Sequence, residues 1–246
     1  LELVGLSLAG CAVTDLSPLA GMPLEWIDVS RTPLVDLSPL AACPLRKADL
    51  RKTPMMDLTP IADAPLTNLD LGFTKVSDLR ALSKCPLTRL DLFKTEVGDL
   101  APLRRLPLEE LDLSGTSVTN LRPLRGMPLR ILELRALPVS DLSPLEGLPL
   151  ETLRLSGSAV TDLSPLSSSP IENLSLTGLV IEELDPLGCM PLRSLTVTAS
   201  NLSLDQVKFV VGIRSLDSLR EAADPEDQTP RIFLERFAAG DYGTSR

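Results

Sequence analysis

A Pro-Leu dipeptide recurs in this chain at Pro23, Pro44, Pro65, Pro86, Pro107, Pro128, Pro149 and Pro191, and Pro170-Ile171 completes the series in steps of 21 residues. Such self-similarity is the signature of a stacked repeat. About ten units run from Leu3 to roughly Gly212, the last degenerate. Their shared pattern is L-x-x-L-x-L-x-x-T-x-V-x-D-L-S-P-L, seen best in Pro107–Met127. There Leu108, Leu111 and Leu113 alternate around a short strand, and Val118, Leu121 and Leu124 turn the chain back over the same core. One unit cannot bury its apolar side alone, but stacked units form a continuous core. Each unit then gives one strand to a parallel sheet, roughly 4.8 Å from the next. A unit this short leaves no room for a full outer helix. The spacing predicts 3₁₀ or irregular turns at Asp-Leu-Ser-Pro-Leu, where Asp141 or Asp162 is placed to cap and the proline needs no amide hydrogen.

This pattern resembles the leucine-rich-repeat family over about residues 2–212, with Thr where that family usually has Asn. The resemblance implies an α/β solenoid, with a curved parallel β-sheet on the concave side and 3₁₀ or irregular turns on the convex side. It also implies a polar ladder at Thr32, Thr53, Thr74, Thr95, Thr116, Ser158 and Ser200, bonding carbonyls of the neighbouring turn. Cys11, Leu137 and Leu179 interrupt this ladder, which predicts local loosening at the two leucines. The array is read as residues 1–212. Beyond Ser203 the spacing over Leu204–Leu219 is helix-like, Asp224–Asp227 is a polar break, and Thr229-Pro230 starts a second helix through Phe233 and Phe237 to Gly240. Residues 203–240 are therefore expected to form a helical C-terminal cap over the open apolar end, and 241–246 a flexible tail.

A narrower resemblance lies in Asp15–Leu24, DLSPLAGMPL. Similar units follow the kinase domain of many bacterial serine/threonine protein kinases, and Ser215–Leu219 and Phe233–Gly240 look like the endings of such proteins. This implies a cytoplasmic fragment of a larger signalling protein, with any kinase upstream of Leu1. No kinase motif lies in the chain itself. The same turn is similar to that of internalin adhesins, whose units are one residue longer. That likeness implies a cell-surface protein as the alternative.

Composition narrows the chemistry. The net charge is -9 and the pI about 4.7, which opposes phosphate-backbone binding and makes nucleic acid an unexpected partner. Histidine is absent, which removes Ser-His-Asp and Cys-His sites and His-containing zinc sites. Cys11, Cys43, Cys85 and Cys189 form no CxxC pair. No apolar run is long enough for membrane insertion. No cofactor, metal or catalytic residue is expected. The expected function is a protein-interaction scaffold on the concave face, with a structural spacer as the less favoured reading.

Two features mark where a partner would sit. Asp28, Asp49, Asp70, Asp91 and Asp112, continued by Glu133, form one acidic column. A solvated repeat feature explains it better than a cation site, which needs six or more converging oxygens. Arg51 and Lys47 beside Asp49, and Arg89 before Asp91, are placed to compensate its charge. The second feature is sharper. Trp26, Phe73 and Phe93 occupy outward positions among Arg31, Lys47, Arg51, Lys52, Arg89 and Lys94, and exposed aromatics beside cations are typical of interface hot spots. The competing reading is that the rings lie flat on neighbouring side chains.

Overall fold

The computed structural model describes residues 3–222 and 229–242. The chain divides into two units, Leu1–Leu129 and Arg130–Arg246. The first contains strands β1 Gly5–Ser7, β2 Trp26–Asp28, β3 Lys47–Asp49, β4 Asn68–Asp70, β5 Arg89–Asp91 and β6 Glu110–Asp112. They pair in parallel and in chain order, and each residue faces its equivalent one repeat later, as Trp26 faces Lys47 and Asp28 faces Asp49. This register follows from the sequence period. It puts Ile27, Leu69, Leu90 and Leu111 in one fully buried row and Val29, Leu50, Leu71, Leu92 and Leu113 in another.

From β2 to β6 each strand ends in the same corner, built from the motif Asp-Leu-x-x-Thr with Val29 in place of the leucine after Asp28. The aspartate accepts the backbone N–H two residues on, at 2.7–3.2 Å. The residue three after the aspartate adopts a left-handed conformation and donates its N–H to the following repeat, as Lys52 does to the Gly72 carbonyl at 2.8 Å. The threonine hydroxyl then closes the corner on the carbonyl three residues back: Thr32 to Val29, Thr53 to Leu50, Thr74 to Leu71, Thr95 to Leu92 and Thr116 to Leu113, at 2.7–2.8 Å. The expected ladder therefore exists in this unit, but it acts inside each repeat and not across to the neighbouring one. Thr95→Val keeps shape and deletes one buried hydrogen bond, so it is expected to cost about 1–2 kcal/mol by denaturant unfolding. An unchanged midpoint would show that the corner does not need its hydroxyl.

The outer connections are 3₁₀ turns, such as Ser17–Leu19, Ser38–Leu40 and Ala101–Leu103. The aspartate two residues before each turn accepts its first N–H, as Asp15 does from Ser17 at 2.7 Å and Asp36 from Ser38 at 2.8 Å. Asn120 replaces the aspartate before Arg122 with the same bond. Cys43 and Cys85 are buried under this layer, while Cys11 is exposed.

The second unit continues the scheme with β7 Ile131–Glu133, β8 Thr152–Arg154, β9 Asn173–Ser175, β10 Ser194–Val197 and β11 Ser218–Glu221. Asp141 and Asp162 cap their 3₁₀ turns as the motif predicts, through the amides of Ser143 and Ser164. Leu137 and Leu179 are buried, and Leu179 keeps the corner bond to the Leu176 carbonyl at 3.1 Å. Thr74 makes the same backbone bond to Leu71, so Leu179 lacks only the hydroxyl bond and has a buried apolar side chain in its place. The Ser158 hydroxyl is buried with no partner among the described residues, and Ser200 is exposed in a 3₁₀ turn outside the ladder.

Helix α1 covers only Leu204–Val211, opened by a reciprocal Ser203–Gln206 capping box. Gly212 caps it, and Ser218–Glu221 forms a strand beside β10 where the helix-like spacing had predicted more helix. Helix α2 runs Pro230–Ala239, with Thr229 at its start and left-handed Gly240 at its end, as the sequence signals predict. It packs on α1 and β11 and buries Phe233 completely. The polar break Asp224–Asp227 and residues 243–246 lie outside the described residues. Asp241 and Tyr242 are held rather than loose: Asp241 lies 3.5 Å from Arg236, and Tyr242 stacks on Phe233 at 5.0 Å.

Candidate functional site

The strand face of the first unit brings the marked residues into two neighbouring zones. The outward positions of each strand alternate with the buried ones, so Trp26, Lys47, Asn68, Arg89 and Glu110 form one outer row, and the five aspartates form the next. Between them lies a shallow basin of about 330 Å³, walled by Trp26 and floored in part by Asp49, Asp70 and Asp91.

Trp26 is 44% exposed. Its indole rests where a side chain on its register partner Gly5 would stand: a Cβ there would meet the indole at 1.8 Å. The indole thus occupies the space that a glycine of the preceding strand leaves free, and stays partly exposed.

The aspartate column has a structural duty, since every one of its five members in this unit caps a strand-end amide. Arg51 neutralises part of it, at 2.7 Å from Asp49 and 3.7 Å from Asp70. Arg89 was expected to pair with Asp91 but instead lies 3.1 Å from Glu110, the acid opposite it in register. Glu133, the expected end of the column, belongs to the second unit. It is almost buried and held by Arg154 and Arg135, so it presents no open carboxylate.

Burial and like-charged neighbours raise three carboxyl pKa values. Burial is the main cause at Asp49, Asp70 and Asp91, followed by repulsion from Asp70, Asp91 and Asp112 respectively, which outweigh the amide bonds and Arg51 or Arg89. At Asp28 burial is again the largest influence, but Ser30, Ser7 and Arg51 together overcome it and hold the group low. This inequality along the row was not expected. Among the described residues no acidic or cysteine cluster is arranged to hold a metal ion.

The sign of the shift gives a test. A carboxyl whose folded pKa is raised destabilises the fold above that pKa and is relieved as pH falls through it towards the ordinary 3.8. Asp70→Asn keeps an acceptor for the Gly72 amide and removes the charge. It is expected to be about 0.5 kcal/mol more stable than the parent at pH 7, the difference vanishing as pH approaches about 4. Asp70→Ala loses the cap and should be about 1 kcal/mol less stable. Thermal midpoints against pH read both, and an Asn variant weaker than the parent at pH 7 would contradict the repulsion.

The second zone is a ridge at the strand-end corners. The left-handed position recurs in nine successive repeats, as Gly10, Arg31, Lys52, Phe73, Lys94, Gly115, Ala136, Gly157 and Gly178, with φ between 54° and 78°. Glycine suits that conformation, and each larger residue costs about 1 kcal/mol there. Only four consecutive repeats carry a long side chain at it. Phe73 and Phe93 meet edge to face at 5.0 Å, with Lys52 4.8 Å from the Phe73 centroid and Lys94 5.3 Å from both. Phe73 remains 42% exposed. Arg31, Lys47, Lys52 and Lys94 make no ion pair with a described residue. The strain was missed in the sequence, although aligning Arg31–Lys94 with Gly10, Gly115, Gly157 and Gly178 carries its signal.

Solved structures share this architecture. An internalin from Listeria monocytogenes superposes with a TM-score of 0.80 at 23% identity, over 91% of this chain and 69% of its own. The fold is a leucine-rich-repeat solenoid with a helical cap. A leucine-rich-repeat protein from Leptospira interrogans gives 0.66 at 19% identity, over 88% of this chain and 59% of its own. Internalin C2 from Listeria monocytogenes gives 0.63 at 27%, over 79% and 80%. No protein-family model and no curated protein matches the sequence. No helix among the described residues of this leucine-rich-repeat chain is long and apolar enough to cross a membrane.

Proposed function

We propose that this chain is a non-catalytic protein-interaction scaffold whose partner sits on the strand face of the first unit, between Trp26 and Lys94. One observation carries the reading. The corner needs only glycine at its left-handed position, yet Arg31, Lys52, Phe73 and Lys94 occupy it in four adjacent repeats at a cost to folding. Side chains kept against backbone strain mark a site of use. The half-open Trp26 and the basin beside it extend the same surface.

In a larger bacterial protein the module would bring a partner to a signalling domain, a kinase being the expected one. The likeness to two internalin structures favours a second setting, a cell-surface adhesin using the same face. The binding reading is tested by capture from the source cell's lysate, comparing the parent with Trp26→Ala/Phe73→Ala/Phe93→Ala. Phe209→Ala/Ile232→Ala, at exposed apolar positions of the helices, serves as control. A partner held by parent and control but lost by the triple variant supports the site. Equal capture by all three removes it, and no capture at all favours a spacer.

A further inference from the structure

The ridge and the aspartate column run side by side along the first unit with opposite charge, which constrains the chemistry of what can lie on them. Lys52 and Lys94 both bring ammonium groups to the Phe73 ring, within 4.8 and 5.3 Å of its centroid. Neither has a carboxylate partner among the described residues, and Arg31 one repeat earlier has none either. The column is the reverse: Asp49, Asp70 and Asp91 repel one another, and Arg51 forms ion pairs with the first two alone. Corresponding residues of successive repeats are roughly 5 Å apart, so each row presents its groups in a line along which an extended polypeptide can lie.

We infer that the ridge Arg31–Lys52–Phe73–Lys94 receives an acidic, apolar-flanked segment of a partner protein, its carboxylates on the unpaired cations and an apolar side chain on Phe73 and Phe93. The inference rests on the scaffold reading and adds the chemistry of the partner. A dense polyanion is disfavoured, because the same surface would hold it against Asp28, Asp49, Asp70 and Asp91. A polypeptide can place acids on one row and basic or neutral groups on the other. Such a match supplies specificity by penalising partners of uniform charge.

The test uses the isotope-labelled full chain and follows backbone amide shifts during titration with three probes: a decapeptide alternating Glu with Leu, its Lys-for-Glu counterpart, and a heparin hexasaccharide. Lys52→Gly/Lys94→Gly is the matched variant. It installs the residue found at this corner in four other repeats, so it should fold at least as well as the parent. The Glu peptide is expected to move the amides of Arg31, Lys52, Phe73, Phe93 and Lys94. The variant should bind it about tenfold more weakly at low salt, with an equal or higher thermal midpoint. The inference fails if the Glu peptide leaves these amides still, if heparin moves them more strongly than the peptide, or if the variant binds within twofold of the parent. Shifts from the Lys peptide alone, centred on Trp26, Asp49 and Asp70, would overturn the ridge while leaving the scaffold reading standing. No shift on this face with any probe, joined to unchanged lysate capture by the triple variant, would remove both.

Discussion

Phe233→Ala is expected to destabilise the second unit by about 3–5 kcal/mol. The ring is fully buried, stacks on Tyr242 at 5.0 Å, and anchors α2, which packs on α1 and β11. A stacked repeat ends in an apolar face that the next repeat would have covered, and here Val207, Val210 and Leu219 belong to the layer beneath the last helix. Removing the ring leaves a cavity and loosens α2, so local opening should begin at the C-terminal strand. Hydrogen exchange is expected to quicken first at the amides of β11, with those of β2–β5 little changed. A loss below about 1 kcal/mol would mean that α2 is an ornament and that β11 closes the core alone.

The largest expected effect on binding belongs to Trp26→Ala/Phe73→Ala/Phe93→Ala. Aromatic anchors at the centre of an interface typically carry about 2 kcal/mol or more each, though such values do not add. A joint loss of at least about 3 kcal/mol, more than a hundredfold in Kd, is expected against any captured partner by calorimetry. Stability should change little, because Trp26 and Phe73 are 44% and 42% exposed and Ala136 already occupies the left-handed corner in another repeat. A loss under fivefold at unchanged stability would move the interface away from these rings.

The fold was legible because a strict repeat removes the usual ambiguity. Once Leu108, Leu111 and Leu113 are strand positions in one unit, their equivalents are strand positions in every unit, and parallel register follows. The corner aspartates were visible as a column and were read as a solvated feature of the repeat, without their bonds to the strand-end amides. Their amide bonds depend on the backbone turning sharply after each strand, which no periodicity encodes. The end of α1 was hidden for a related reason: Leu216 and Leu219 keep helical spacing, yet Gly212 and the open edge of β10 draw the following segment into a strand. At the proposed site, charge and aromaticity marked the residues, while tertiary contacts decided the pairings. Arg89 prefers Glu110 across the register to Asp91 on its own strand, Glu133 is enclosed by two arginines, and Trp26 lies over Gly5 because a glycine there leaves room.

The most direct test of the central claim is site-specific photocrosslinking in the source cell. A photoreactive residue at Asn68, beside the basin, is compared with one at Thr59, exposed on a 3₁₀ turn of the same unit. An adduct from position 68, absent from position 59 and lost when Trp26, Phe73 and Phe93 are replaced by alanine, is the expected result. An adduct from position 59 with none from position 68 would contradict it and place the partner on the turns.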